Sequence, residues 1–415
     1  MPDYHHGNLF VESVSLHAVA AAVGTPCYVY SKAALQARWR AYDRAFGARP
    51  HRICYAVKAN DNLSIIRVLQ QLGSGFDIVS GGELERALAA GAAAQDIVFS
   101  GVGKSRTEIA RAIDCGIACI NVESAAELAR VAALAAACHR VVAVAVRVNP
   151  DVDAATHPYI STGLKETKFG VPLADAPALY RAIAADPWLE AAGIACHIGS
   201  QLTTVAPVVE AVGEIVGLAE TLRGDGIALT HLDVGGGLGI RYRAETPPPI
   251  ETLVAAVCAA VPAHYTVMME PGRSLVGAAG TLLTTVEYLK QTPARNFAIV
   301  DAGMNDLLRP ALYDAWHDVW PVRAVTAADT IIRCDVVGPI CETGDWLARD
   351  RELPAASGRL LAILDAGAYG FAMTSNYNAR PRPPEVLIDN DRFSVIRARE
   401  TLTDLMANEL AHLSP

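Results

Sequence analysis

The chain has 415 residues, 52% of them hydrophobic and 19% charged, which is core material for two or three domains and not a disordered composition. Its 44 acidic and 35 basic residues give a net charge of −9, making it a poor candidate for non-specific binding to nucleic acid or anionic membranes, though not to a small anionic ligand. Met1-Pro-Asp-Tyr-His-His-Gly7 is no secretory signal, and apolar runs such as Val141–Val146 fall far short of the roughly 20 residues that span a bilayer, so the chain reads as soluble and cytoplasmic.

Cys27-Tyr-Val-Tyr30 is a strand-like run ahead of the first long helical stretch. From about residue 34 to 277, short β-branched runs alternate with Ala/Leu/Glu-rich stretches at helical spacing. His51–Val57, Phe76–Val79, Ile97–Ser100, Ala118–Asn121, Val141–Val148, Ile194–Ile198, His231–Val234 and Tyr265–Glu270 predict strands. Stretches such as Ser80–Ala90 and Ala125–Cys138 predict helices between them. Repeated β-α units of this number and length favour an α/β fold with a (β/α)8 TIM barrel. The remainder predicts strands at Thr281–Leu289, Phe297–Val300, Thr330–Val337, Leu360–Leu364, Glu385–Ile388 and Phe393–Arg397. The expected organisation is a barrel over 34–277 and a second, mostly β domain collecting 1–33 and 278–415.

Nine cysteines are scattered without a Cys-x-x-Cys, so neither a zinc site nor a disulfide framework is expected. Two nucleotide motifs fail on spacing. Gly101-Val-Gly-Lys104-Ser105 lacks the glycine that a phosphate loop requires at Val98, and Gly235-Gly-Gly-Leu-Gly239 meets Ile240 where a dinucleotide fingerprint requires glycine. Three successive glycines after a strand still make a backbone nest for phosphate.

In a barrel the C-terminal strand ends converge on the catalytic face. Lys58 ends the first strand, Asp77 lies in the second, and Arg147 and Asn149 end the fifth. His197 ends the sixth, Gly235–Gly237 follow the seventh, and Glu270-Pro-Gly-Arg273 follows the eighth. Each has an ordinary reading alone: a surface ion pair for Lys58, a core histidine for His197. Together, a strand-end lysine, a phosphate cradle and a carboxylate for a ring nitrogen describe a pyridoxal 5'-phosphate site.

The chain resembles the fold-type III pyridoxal-phosphate decarboxylases, and within them the branch acting on meso-diaminopimelate. The resemblance rests on nine motifs in order: Tyr55-Ala-Val-Lys-Ala-Asn60, Phe76-Asp-Ile-Val-Ser-Gly-Gly-Glu83, His157-Pro-Tyr-Ile-Ser-Thr-Gly163, Lys168-Phe-Gly170, His197-Ile-Gly-Ser-Gln201, Gly235-Gly-Gly237, Glu270-Pro-Gly-Arg273, Gly338-Pro-Ile-Cys-Glu342 and Asp365-Ala-Gly-Ala-Tyr369-Gly. It implies that Lys58 carries the cofactor covalently, with Asp77 among the cofactor-binding residues. His197 lies against the pyridine ring and Glu270 meets its nitrogen. Ser200, Gly235, Gly236, Gly237, Gly272, Arg273 and Tyr369 bind the phosphate.

It also implies that Cys341, in a Gly/Pro loop, donates a proton to the α-carbon. Arg273, Arg309, Tyr313, Glu342 and Tyr369 bind substrate, with Arg309 on the distal carboxylate and Glu342 on the distal ammonium. The product is then L-lysine with CO2, the last step of a lysine biosynthesis. A homodimer is implied, its active sites shared across the interface and Lys168 of one chain paired with Asp345 of the other. No metal is expected. A decarboxylase for another basic amino acid, an inactive cofactor carrier and a racemase are the alternatives; Lys58 and Cys341 argue against the carrier, and no second-base motif supports the racemase.

Overall fold

The computed structural model describes residues 2–152 and 168–413, so the motif at His157–Gly163 lies outside the described residues. The chain divides into two compact units. One comprises Gln36–Arg241 and Glu245–Leu275. The other comprises Met1–Leu35, the short segment Tyr242–Ala244, and Val276–Pro415.

The first unit is a closed barrel of eight parallel strands: His51–Ala56, Gly75–Ile78, Ile97–Phe99, Cys119–Val122, Val142–Asn149, Leu189–Ala195, His231–Asp233 and Thr266–Met269. Each pairs with the next, and Val267–Met269 close the ring on His51–Ile53. Cys54, Val98, Cys119, Ala145, Ala192 and Met268 pack together inside. Helix starts are fixed by local chemistry. Asn62, Ser80, Ser105 and Ser124 each accept an amide of the following first turn, and Ser105 with Glu108 forms a reciprocal cap.

The failed phosphate-loop motif has a structural role here. Lys104 is buried, and its three donors go to Gly101 O, Asn121 O and Glu127 Oε1 at 2.8, 2.7 and 2.8 Å.

Two strands end where chemistry begins. The first stops at Ala56, and Val57–Ala59 form a 3-10 turn that lifts Lys58 off the ladder. The sixth runs Leu189–Ala195, earlier than the sequence suggests, so His197 and Ser200 lie in the loop beyond it.

The second unit is a mixed sheet in the order Trp346–Leu353, Ile332–Val337, Asn296–Val300, Gly280–Gln291, Cys27–Ser31, Glu385–Asp389, Arg392–Arg397. Leu360–Ile363 also pairs with Gly280–Gln291, and Val319–Pro321 pairs with Leu360–Ile363. Cys27–Ser31 is thus an interior strand, antiparallel to Gly280–Leu283 and parallel to Glu385–Ile388. Short strands at Asp3–His5, Asn8–Val11 and Val14–Ser15 precede it. Leu9, Val11, Leu16, Val29, Leu283 and Ile388 belong to this unit's core.

Candidate active site

Within the barrel, the Nζ of Lys58 lies 2.7 Å from Oδ2 of Asp77, which is fully buried in the second strand. Asp77 Oδ1 is also buried and receives no donor among the described residues. Glu270, beyond the eighth strand, is buried beside Asp233. Loss of water, then repulsion by Asp233 and Asp77, pushes Glu270 well above the ordinary carboxylate range, while Lys58 pulls it back. Asp233 is raised for the same first reason. Its Oδ1 accepts the Gly235 amide at 2.9 Å, and its side chain hydrogen-bonds with Glu270. Two carboxyls side by side out of water keep a proton between them. A cluster of this sign suits a ligand that brings positive charge.

His197 is held well below 6.5 by loss of hydration first, then by the charges of Arg147 and Lys58. The Gly236 amide donates to its Nδ1 at 3.2 Å, which agrees with a neutral ring. Gly235 and Gly237 occupy the left-handed region, with φ of 67° and 105°. A side chain at Gly235, Gly236 or Gly237 would collide with Cys196 O, Glu270 O or Gly199 O. Only glycine fits this loop, which leaves its backbone open to a ligand. Gly272 abuts Ala59 and Ala56. Arg273 donates to Ser200 Oγ through Nε at 3.3 Å and Nη2 at 2.9 Å. An amine for an aldehyde, a bare glycine loop with an arginine and a serine, and the under-satisfied buried carboxylate of Asp77 fit pyridoxal 5'-phosphate. The barrel therefore brings Lys58, Asp77, His197, Ser200, Gly235–Gly237, Glu270, Gly272 and Arg273 to one rim.

The β-rich unit carries the other expected residues. Cys341 is exposed, and its amide donates to Asn378 Oδ1 at 2.8 Å. The Tyr377 hydroxyl donates to Glu342 Oε1 at 2.5 Å. Arg309 is buried and opens a short helix that ends at Tyr313. Tyr369 has a φ of 54°.

Asp345 is buried at 4% exposure, and its two oxygens accept the amides of Met304 and Ile340, each at 2.6 Å. Within its own chain the carboxylate organises its loop; its pairing with Lys168 of a second chain stays an expectation. Lys168 is exposed, with its Nζ 5.4 Å from the Phe169 ring centroid.

The sequence reading missed Asp233, whose signal was a carboxylate at a barrel strand end, and Tyr377, which had none. It also gave no role to Glu123. That residue accepts Gly101 N at 3.0 Å and Arg147 Nη1 at 3.2 Å on Oε1, and Gly170 N at 2.9 Å on Oε2. Arg147 covers the Phe169 ring at 4.8 Å, so these two charges tie Phe169-Gly170 to the rim. Among the described residues, no group of His, Cys, Asp and Glu could hold a metal ion, and no helix is long and apolar enough to cross a membrane.

Comparison with known proteins gives a consistent result. Residues 32–277 match the family described as pyridoxal-dependent decarboxylase, pyridoxal binding domain. The diaminopimelate decarboxylase of Pseudomonas aeruginosa is 53% identical over 98% of both chains. The crystal structure of the Helicobacter pylori diaminopimelate decarboxylase, complexed with L-lysine, superposes with a TM-score of 0.92 at 42% identity, covering 96% of this chain and all of that one. That of the M. jannaschii enzyme, also with L-lysine, gives 0.94 at 36% identity, covering 100% and 98%. The chain belongs to the pyridoxal-dependent decarboxylases, in their diaminopimelate decarboxylase branch.

Proposed function

We propose that this enzyme decarboxylates meso-diaminopimelate to L-lysine, using pyridoxal 5'-phosphate held at the barrel rim. The observation that carries the reading is the Lys58 amine set among Asp77, Asp233 and Glu270 beside a glycine loop closed to side chains. When bound, the cofactor supplies an electron sink for the electrons left by departing CO2.

The chain's own residues do the rest. Lys58 would hold the cofactor through its amine, Glu270 would serve its ring nitrogen, and the uncharged His197 would support its ring. Ser200, Gly235–Gly237, Gly272 and Arg273 bind the phosphate, joined by Tyr369. Cys341 delivers a proton to the α-carbon, since a thiol is a competent general acid. Arg309 takes the distal carboxylate of the substrate, which ornithine and arginine lack. Glu342, held by the Tyr377 hydroxyl, takes the distal ammonium, with Tyr313 alongside. The enzyme works in the cytoplasm as a homodimer, with Lys58 and Cys341 of each site drawn from different subunits. Its cysteines, unpaired among the described residues, suit a reducing compartment.

The test is incubation with pyridoxal phosphate and either meso-diaminopimelate or ornithine. Lysine from the first and little turnover of the second are expected. Faster turnover of ornithine overturns the substrate assignment.

A further inference from the structure

In the β-rich unit, Nη1 of Arg309 lies 2.7 Å from Nε2 of His317, which is wholly buried. The other ring nitrogen, Nδ1, lies 2.7 Å from the carbonyl oxygen of Leu364. A carbonyl only accepts, so Nδ1 carries a hydrogen. A guanidinium only donates, so Nε2 is bare. The two contacts together fix both the tautomer and the charge: His317 is a neutral imidazole whose one lone pair is spent on Arg309. A protonated ring would set N–H against N–H inside the fold, where His317 is wholly buried.

The imidazole is itself anchored. Leu364 directly follows the strand Leu360–Ile363, and its amide donates to Asp318 O at 2.9 Å. Arg351 donates to the His317 carbonyl at 3.1 Å. On another side the Tyr242 ring lies 4.5 Å beneath the Arg309 guanidinium and meets the His317 ring edge-on at 5.3 Å. Tyr242 sets the plane of the guanidinium by stacking, and His317 sets its rotation within that plane by accepting one N–H.

We propose that His317 is a positioning residue for substrate recognition, orienting Arg309 so that its fork meets the distal carboxylate. This rests on the reading of Arg309 as the carboxylate partner, and the experiment separates failure of one from failure of the other. The holoenzyme is compared with Arg309→Ala and with His317→Gln, →Asn and →Leu. The Gln amide can reach Arg309 with its oxygen. The Asn amide reaches only the Leu364 carbonyl.

Loss of a charge-assisted hydrogen bond predicts a rise in KM for meso-diaminopimelate of about tenfold in the Asn and Leu variants, with kcat within about twofold, and substantial rescue by Gln. Inhibition by L-lysine, which keeps the distal carboxylate, weakens by the same factor. Inhibition by 1,5-diaminopentane, which lacks that carboxylate, does not change.

A raised KM in Arg309→Ala with unchanged KM in the His317 variants overturns the inference and leaves the substrate reading intact. Unchanged KM in Arg309→Ala overturns both. Equal behaviour of Gln and Asn, or equal weakening of both inhibitors, makes His317 merely structural and overturns the inference even if His317→Leu fails to fold.

Discussion

Lys58 and Asp77 meet across 2.7 Å, with the lysine side chain 37% exposed and the carboxylate wholly buried. The pair holds an amine at the barrel rim, where it can exchange its ionic partner for a covalent one. Lys58→Arg keeps a cation beside Asp77 but offers no nucleophile, since a guanidinium stays protonated. Visible absorbance of bound cofactor and lysine formation should both vanish in this variant, with little change in thermal midpoint. Lys58→Ala should lose the same two signals and melt earlier. Turnover at the wild-type rate by either variant would refute the site.

Arg309→Ala should raise the KM for meso-diaminopimelate. A bidentate charge-assisted contact is worth about 2–4 kcal/mol, so the rise should be on the order of 30-fold or more. Steady-state rates check this. An unchanged KM removes Arg309 from substrate binding.

Asp306 gives the β-rich unit a pH dependence. Its carboxyl accepts the Gly303 amide at 2.9 Å and the Asn305 side chain at 3.0 Å, yet burial raises it from 3.8 to about 7. Between these values the folded chain binds the proton more tightly than the unfolded chain, so this group's contribution to stability falls as pH rises. Asp306→Asn should therefore gain on the wild type as pH climbs from about 4 to about 7, and hold a constant difference above that. Thermal midpoints across that range test it. A difference that does not move with pH refutes the assignment.

Lys104 and Glu127 form a buried pair at 2.8 Å. Lys104→Met leaves a buried carboxylate uncompensated and should cost about 3–5 kcal/mol. Lys104→Met with Glu127→Gln should recover part of that loss. Urea midpoints of the two variants decide it; a double variant no better than the single removes the pairing from the account.

Equal mixing of Lys58→Ala and Cys341→Ala chains tests the shared site. Random exchange makes half of the dimers mixed, each with one intact site of two, so activity should return to about a quarter of wild type. No recovery despite confirmed subunit exchange would place both residues in the site of a single chain.

The barrel was legible because its strands are short apolar runs punctuated by helical spacing, and the catalytic face follows from which residues end those runs. Lys58, His197 and Glu270 were visible for that reason. Asp233 ends a strand too, but the glycines after it drew the reading away. Loops were harder. Asp345 lies four residues beyond Cys341 among glycines, where spacing does not say whether a carboxylate faces out or folds back onto amides at Met304 and Ile340. Trp346–Leu353 escaped notice because its charged residues break the apolar alternation, although it is the partner of Ile332–Val337. His317 was invisible because its two partners lie 8 and 47 positions away.

The interior position of Cys27–Ser31 has a consequence for how the chain is made. This strand leaves the ribosome early, yet Gly280–Leu283 and Glu385–Ile388 on its two sides follow some 250 and 350 residues later. At 5–20 residues per second it waits roughly tens of seconds for its first neighbour. The barrel between them is complete in sequence before that neighbour appears. The apolar run Cys27-Tyr-Val-Tyr30 is thus an unpaired strand throughout most of synthesis, the stage at which a nascent chain depends most on being shielded.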